Sequence, residues 1–240
     1  MLDLTAVYAL RGLPRDEYAE KFEAVASKSF NVAQRADLKL AGVRQAVSTY
    51  LSRGAEDAET EVRLYAAAQE LLSPAQRSMV PLKRIEMNSR LRDISNGMER
   101  PTIGDALPAY PDAKKGEMTI WTFPNVRYLE EKTHKHYEGR SAGVSVRVAK
   151  GVSIRTGQFR GHLVEQNTLD PVDRGSLTIT TQRLHFAGAH KAFKLFYTKL
   201  ALIEPHADGL KIIRDSPTAR PQVFMFDDGW FVNEVFQRLR

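Results

Sequence analysis

The chain has 240 residues, room for one large domain or two small ones at roughly 100–200 residues each. With 42% hydrophobic and 27% charged residues it has the balance of a soluble globular protein, and with no cysteine it excludes disulfide and thiol chemistry and fits a reducing compartment. The formal charge of +6 is unevenly spread: residues 1–100 carry 15 Lys+Arg against 14 Asp+Glu, whereas residues 135–199 carry 11 against 4.

A positive surface attracts nucleic acid, anionic lipid or an acidic protein, and composition does not choose among them; it also serves simply to keep a protein soluble. The opening "MLDLTAVYALRG" has Asp3 and no basic residue before its short apolar run, unlike a secretory signal. No run reaches the roughly 18–20 apolar residues of a spanning helix. The expected location is cytoplasmic, at most peripheral to the inner membrane face.

Residues 1–98 carry helical patterning. In "PRDEYAEKFEAVASKSF", Pro14 suits a first turn and Asp16 and Glu17 favour the positive helix start. Tyr18, Phe22, Val25 and Ala26 fall on one face at 3.6-residue spacing. Leu40, Val43, Val47, Tyr50 and Leu51 repeat the pattern up to Gly54. Val62, Tyr65 and Ala66 mark a third helix that stops at Ser73-Pro74. A fourth runs through Met79, Leu82, Ile85 and Leu91 to about Asn96-Gly97, with Pro81 expected to kink it or delay its start. Short loops between helices imply a small antiparallel bundle. Residues 99–116, with three Pro and two Gly, read as a linker.

From about residue 117 the period changes to two. In "SAGVSVRVAKGVSIRTG", Val144, Val146, Val148, Val152 and Ile154 all occupy even positions, opposite Ser145, Arg147, Ala149, Ser153 and Arg155, and Gly151 predicts a bulge or sharp bend. "GSLTIT", "RLHFAG", "AFKLFY", "LALIEP", "GLKIIR" and "PQVFMF" follow at hairpin spacing, with Asp208-Gly209 a strong turn signal. Strands this close, without helices between them, predict an antiparallel meander closing as a sandwich or barrel. The chain ends on "DDGWFVNEVFQRLR", where Asp227 or Asp228 is placed to cap a helix whose apolar face holds Trp230, Phe231, Val235, Phe236 and Leu239. The expected fold class is α+β: a helical region over 1–98, a linker over 99–116, and a barrel with a C-terminal capping helix over 117–240.

Gly175, Leu177, Ile179, Thr180, Arg183, Leu184 and Phe186 follow the pattern Gly-x-Leu-x-Ile-Thr-x-x-Arg-Leu-x-Phe. Together with a lysine-bearing strand, an Asp-Gly hairpin and a final helix, they resemble the pleckstrin-homology-like superfold in its bacterial GRAM-type variety. The resemblance covers about residues 117–240 and leaves the helical half unassigned. It implies a binding module for phosphoinositides, peptides or partner domains, and it does not decide which. The compact Lys-x-Lys-x-Arg cluster of phosphoinositide binders is missing.

The expected contacts are Arg147, Lys150, Arg155, Lys191 and Lys194, which form an anion-attracting face if their strands converge within a Debye length, about 8 Å at physiological salt. The expected partner is a protein or an anionic lipid surface, with the helical half supplying a second partner surface or a homo-oligomer interface. A nucleic-acid role would rest on charge, with Lys83, Arg84, Arg90 and Arg92 of "PLKRIEMNSRLRD" its best helix, diluted by Glu86 and Asp93. A metal-dependent hydrolase would use His134 and His136, two apart on a strand, with Glu130 or Glu138 as third ligand. Asp170, Asp173, Asp227 and Asp228 read as turn residues, and no Gly-x-Ser-x-Gly elbow or phosphate loop is present. Without a catalytic constellation, the expectation is a non-enzymatic interaction module without cofactor or metal.

Overall fold

The computed structural model describes residues 2–239 apart from 55–56, 98–99, 108–112 and 150–151; of Leu2 and residues 132–167 it describes the backbone alone. The chain is mixed helix and antiparallel sheet, with helices at the N-terminal side and one more at the C-terminal side. It divides into two compact units, residues 1–120 with 234–240, and residues 121–233.

The first unit holds α1 (Leu2–Arg11), α2 (Arg15–Ser29), α3 (Val32–Ser52), α4 (Ala58–Leu71), the single turn α5 (Pro74–Arg77) and α6 (Leu82–Ser95). Helix starts follow the local chemistry. Asn31 Oδ1 accepts the Gln34 N–H at 2.9 Å while Gln34 Oε1 accepts the Asn31 N–H at 3.0 Å, a reciprocal capping box that satisfies two orphan donors of α3. Asp57 caps α4 through Glu59 and Thr60, and Ser73 with Gln76 boxes the turn that Pro74 opens. Gly54 and Gly97 lie just past α3 and α6 in left-handed backbone, at φ +60° and +65°. Pro81 splits the expected fourth helix: it precedes the first residue of α6, because the missing N–H cannot continue α5.

α1 packs on α3 and α4 around Ala9, Val43, Ala46, Val47, Leu64, Ala68 and Ile85. Tyr18, Phe22 and Ala26 of α2 form a second cluster, with Tyr8 stacked on Tyr18 at 4.4 Å. Two face assignments are corrected here. Val25 is 52% exposed, and α4 does not bury Val62, which is 41% exposed; it buries Glu61, Leu64, Ala67 and Ala68 instead. The inward face is set by Leu64, Ala67 and Ala68, and Glu61 shares it as a buried ion pair: two guanidinium nitrogens of Arg92 on α6 donate to its carboxylate, which also accepts the Tyr50 hydroxyl at 2.9 Å.

The second unit is built on a seven-stranded antiparallel sheet in the order β4-β3-β2-β1-β7-β6-β5. The strands are β1 (Thr119–Ala149), β2 (Val152–Thr180), β3 (Arg183–Gly188), β4 (Ala192–Phe196), β5 (Leu200–His206), β6 (Gly209–Arg214) and β7 (Gln222–Met225), and helix α7 (Gly229–Arg238) follows. Two corrections follow. The even-numbered apolar run at 144–154 belongs to two strands, since β1 ends at Ala149 and β2 begins at Val152. The sheet is also not closed: β4 and β5 are its two ends, and among the described residues no ladder joins them. The register pairs Tyr128 with Phe224, Leu177 with Phe186, Phe186 with Phe193 and Leu210 with Phe224. These pairs line one face, where Tyr128, Phe186, Phe193 and Phe224 sit 5.0–6.2 Å apart, ring centre to ring centre, among buried Leu177, Ile179, Leu184 and Ile212.

Close backbone approach decides the glycines. A Cβ on Gly209 would meet the Phe224 carbonyl oxygen at 2.2 Å, and one on Gly229, at the start of α7, would meet the Gly209 carbonyl oxygen at 2.0 Å. Phe231, one turn into α7, packs edge-on against Trp121 at 5.5 Å. Among the described residues no helix is long and apolar enough to cross a membrane.

Candidate functional site

The motif Gly175-x-Leu177-x-Ile179-Thr180-x-x-Arg183-Leu184-x-Phe186 is spent on architecture. Leu177, Ile179, Leu184 and Phe186 are fully buried. Gly175 pairs across to Gly188, and a Cβ there would meet the Ala187 carbonyl oxygen at 2.1 Å. Thr180 Oγ1 accepts the Gln182 and Arg183 N–H groups at 3.2 and 3.1 Å, fixing the β2–β3 turn, and the Arg183 guanidinium lies 5.2 Å from the Phe196 ring centre.

Asp173 serves the next turn. Its carboxylate accepts the N–H groups of Arg174 at 2.8 Å and of His190 and Lys191 at 2.7 Å. Desolvation acts upward on its pKa, but the N–H groups of His190, Arg174 and Lys191 outweigh it and hold the carboxyl below the usual range. The turn expectation for Asp170 and Asp173 is corrected: both lie within β2, and from that strand Asp173 clamps the β3–β4 connection.

The clamp positions Lys191. Its ammonium is 2.9 Å from Glu130 Oε1 and 5.7 Å from the centre of the Tyr128 ring. Glu130 in turn accepts the Tyr128 hydroxyl at 2.6 Å, and Gln222 Nε2 donates to that hydroxyl at 2.7 Å. Burial pushes the Tyr128 phenol well above its usual range; the Gln222 bond opposes this and Glu130 reinforces it. Lys191 is therefore an ion-paired cation at the rim of the aromatic core. Lys194 is exposed on β4, opposite His185 on β3, and Lys199 is exposed at the end of a 3₁₀ turn, Tyr197–Lys199. The side chains of Arg147, Arg155, His134 and His136, and the whole of Lys150, lie outside the described residues. Among the described residues no three His, Asp or Glu side chains group to hold a metal.

The basic helix considered for nucleic acid is partly committed elsewhere. Arg92 holds Glu61, and Arg90 donates to the Asp105 carbonyl oxygen at 2.8 Å, with burial lowering its pKa. Asp93 accepts the Thr102 N–H at 3.0 Å and its hydroxyl at 2.6 Å.

The structure adds a cleft of about 400 Å³ across β2, β1, β7 and β6. Leu169, Pro221, Val223 and Met225 give it an apolar lining, and Glu131, His206, Asp208 and Lys211 add charged and polar groups. Its volume is in the range of small-ligand and peptide pockets, roughly 300–1,000 Å³. One signal in the sequence marks it: "VFMF", residues 223–226, is apolar at consecutive positions, whereas a strand with one solvated face alternates. In the structure Gln222 and Phe224 are buried and Val223 and Met225 take the opposite face, half-buried.

No protein-family model, curated protein or solved structure matches this chain.

Proposed function

We propose that this protein is a non-catalytic interaction module in which a pleckstrin-homology-like sheet and its following helix present a basic surface to an anionic partner, an acidic protein or a lipid headgroup layer. The observation that carries this reading is where the charge lies. Residues 135–199, with 11 Lys+Arg against 4 Asp+Glu, run from β1 through β4, while residues 1–100 are nearly balanced. Two exposed lysines of that segment, Lys194 and Lys199, lie on and just after β4. The fold part of the reading is supported by two antiparallel meanders, β1–β4 and β5–β7, and by the helix that follows β7.

The test is co-sedimentation of the full chain with phosphatidylcholine vesicles, with and without phosphatidylserine, at low and high salt. Pelleting with the anionic vesicles alone, at low salt, and its loss in Arg147→Glu/Lys194→Glu, is the expected result for a lipid surface. Absence of pelleting at low salt removes lipid and leaves an acidic protein as the partner.

A further inference from the structure

The long helix α3 turns one face to its neighbours and one to solvent. Gly42, Val43, Ala46, Val47 and Tyr50 are buried on the side that meets α1 and α4. A second flank meets α2, where Arg35 pairs with Glu23 and the Lys39 ammonium lies 5.0 Å from the centre of the Phe22 ring. The remaining face carries Ala33, Asp37, Ala41, Arg44 and Ser48 at three- and four-residue steps, all exposed. Asp37, Leu40, Ala41, Arg44, Gln45 and Ser48 line an open groove of about 370 Å³ there.

Charge decides what fits this face. Asp37 and Arg44 are its charged residues, and neither makes an ion pair among the described residues. They are seven residues apart, two turns less about 20°, so they sit on the same flank of the helix. About 10 Å of helix separates them, too far for them to pair with each other. Their midpoint falls between Leu40 and Ala41, about 5 Å along the helix from each.

A two-fold axis through that midpoint, perpendicular to the helix, lays a second α3 antiparallel on the first and brings the same flank of each together. Asp37 of each copy then faces Arg44 of the other, Leu40 faces Ala41, and Ala33 faces Ser48. Opposite charges meet twice and like charges nowhere. The small side chains at 33, 41 and 48 let the helices approach to about 8–10 Å between axes. A parallel pair would set Asp37 against Asp37 and Arg44 against Arg44, so the charges also select the direction. Residues 1–100, with 15 Lys+Arg against 14 Asp+Glu, add almost no net repulsion between copies.

We infer that two copies of this chain pair through their α3 helices, antiparallel, with two Asp37–Arg44 ion pairs beside the axis. One helix pair buries less than the roughly 1,600 Å² of a standard interface, so the dimer is reversible and concentration-dependent. It carries the basic segment twice, and an extended anionic partner that meets both copies is held more tightly than by one.

The experiment is sedimentation velocity of the full chain over a concentration series, without lipid. The unaltered chain is expected to pass from monomer to dimer. Asp37→Arg and Arg44→Asp each bring like charges together twice and are expected to weaken the dimer about tenfold or more. Mixing the two single variants, or making both changes in one chain, restores two opposite-charge pairs and should restore the dimer. The chain has no cysteine, so single cysteines report the register. Ala41→Cys, next to the axis, is expected to form a disulfide between copies under mild oxidation, whereas Ala33→Cys, about 11 Å along the helix from the axis, is not. Both replace exposed small side chains, which keeps the proposal open to refutation if a charge variant fails to fold. A chain that stays monomeric up to about 1 mM overturns it. So does a dimer indifferent to both charge reversals, a pair of single variants that mixing does not rescue, or Ala33→Cys cross-linking as readily as Ala41→Cys. Vesicle binding is no part of the readout, so failure of the basic-surface reading and failure of this one are distinguishable.

Discussion

Removing the Glu61 carboxylate tests the account of the helical unit most directly. Glu61 is fully buried on α4, and the side chain of Arg92 on α6 is 22% exposed. Glu61→Ala takes away two acceptors of the guanidinium and the nearer acceptor of the Tyr50 hydroxyl, which itself accepts the Asp57 N–H at 2.9 Å at the start of α4. Breaking a buried pair by deleting one partner costs about 3–5 kcal/mol, since the remaining charge stays in a poorly solvated place. Against a total stability of about 5–15 kcal/mol, that is a large fraction. Urea unfolding of the full chain followed by far-UV circular dichroism, which reports chiefly on the six N-terminal helices, measures it. Glu61→Gln keeps an acceptor for Tyr50 and should cost less. Glu61→Leu/Arg92→Met removes both charges together and should be close to neutral, within about 1–2 kcal/mol, because the desolvation cost disappears with the attraction. A loss below about 1 kcal/mol for Glu61→Ala, the value of an exposed pair, would refute the burial argument. A double variant as damaged as the single one would also refute it.

Asp173→Asn should loosen the β3–β4 turn, seen as faster amide exchange at His190 and Lys191. The carboxyl is held below its unfolded pKa, so its contribution is present above the usual carboxylate range and fades as pH falls through the depressed value; the wild-type advantage should shrink in acid. Gly209→Ala and Gly229→Ala should each destabilise by about 2–3 kcal/mol or more in urea titration, because the added methyl meets backbone oxygen at 2.2 and 2.0 Å. Gly54→Ala meets no atom within 4 Å and is strained only by its φ of +60°, so it should cost about 1 kcal/mol. Tyr128→Phe should cost about 1–3 kcal/mol, since it removes the hydroxyl shared by Gln222 and Glu130.

Element type was legible where one face of an element is buried and the other is wet. The periods at Tyr18–Ala26 and Val43–Tyr50 and the strands at Arg183–Gly188 and Gly209–Arg214 were readable because burial selects side chains at 3.6 or 2 residue intervals. So were the breaks at Gly54, Ser73-Pro74 and Asn96-Gly97, which depend on local backbone preference alone. The motif over Gly175–Phe186 was readable for the same reason: its residues fill core and turn positions, which say nothing of a ligand.

Tertiary structure decided the rest. The partner that lets Glu61 be buried on α4 is Arg92, 31 residues away, and no local period encodes such a pair. That Val144–Val148 and Val152–Ile154 belong to two strands, β1 and β2, does not show in the parity count, which runs unchanged from one to the other. Lys191 reads as a free basic contact until β1 brings Glu130 to it. The cleft assembles Glu131, Leu169, Asp208 and Val223 from strands far apart in sequence, and its chemistry is set by which residues the sheet order makes neighbours. Local preferences fix elements over a few residues, whereas sites are made by long-range pairings, which one sequence does not display.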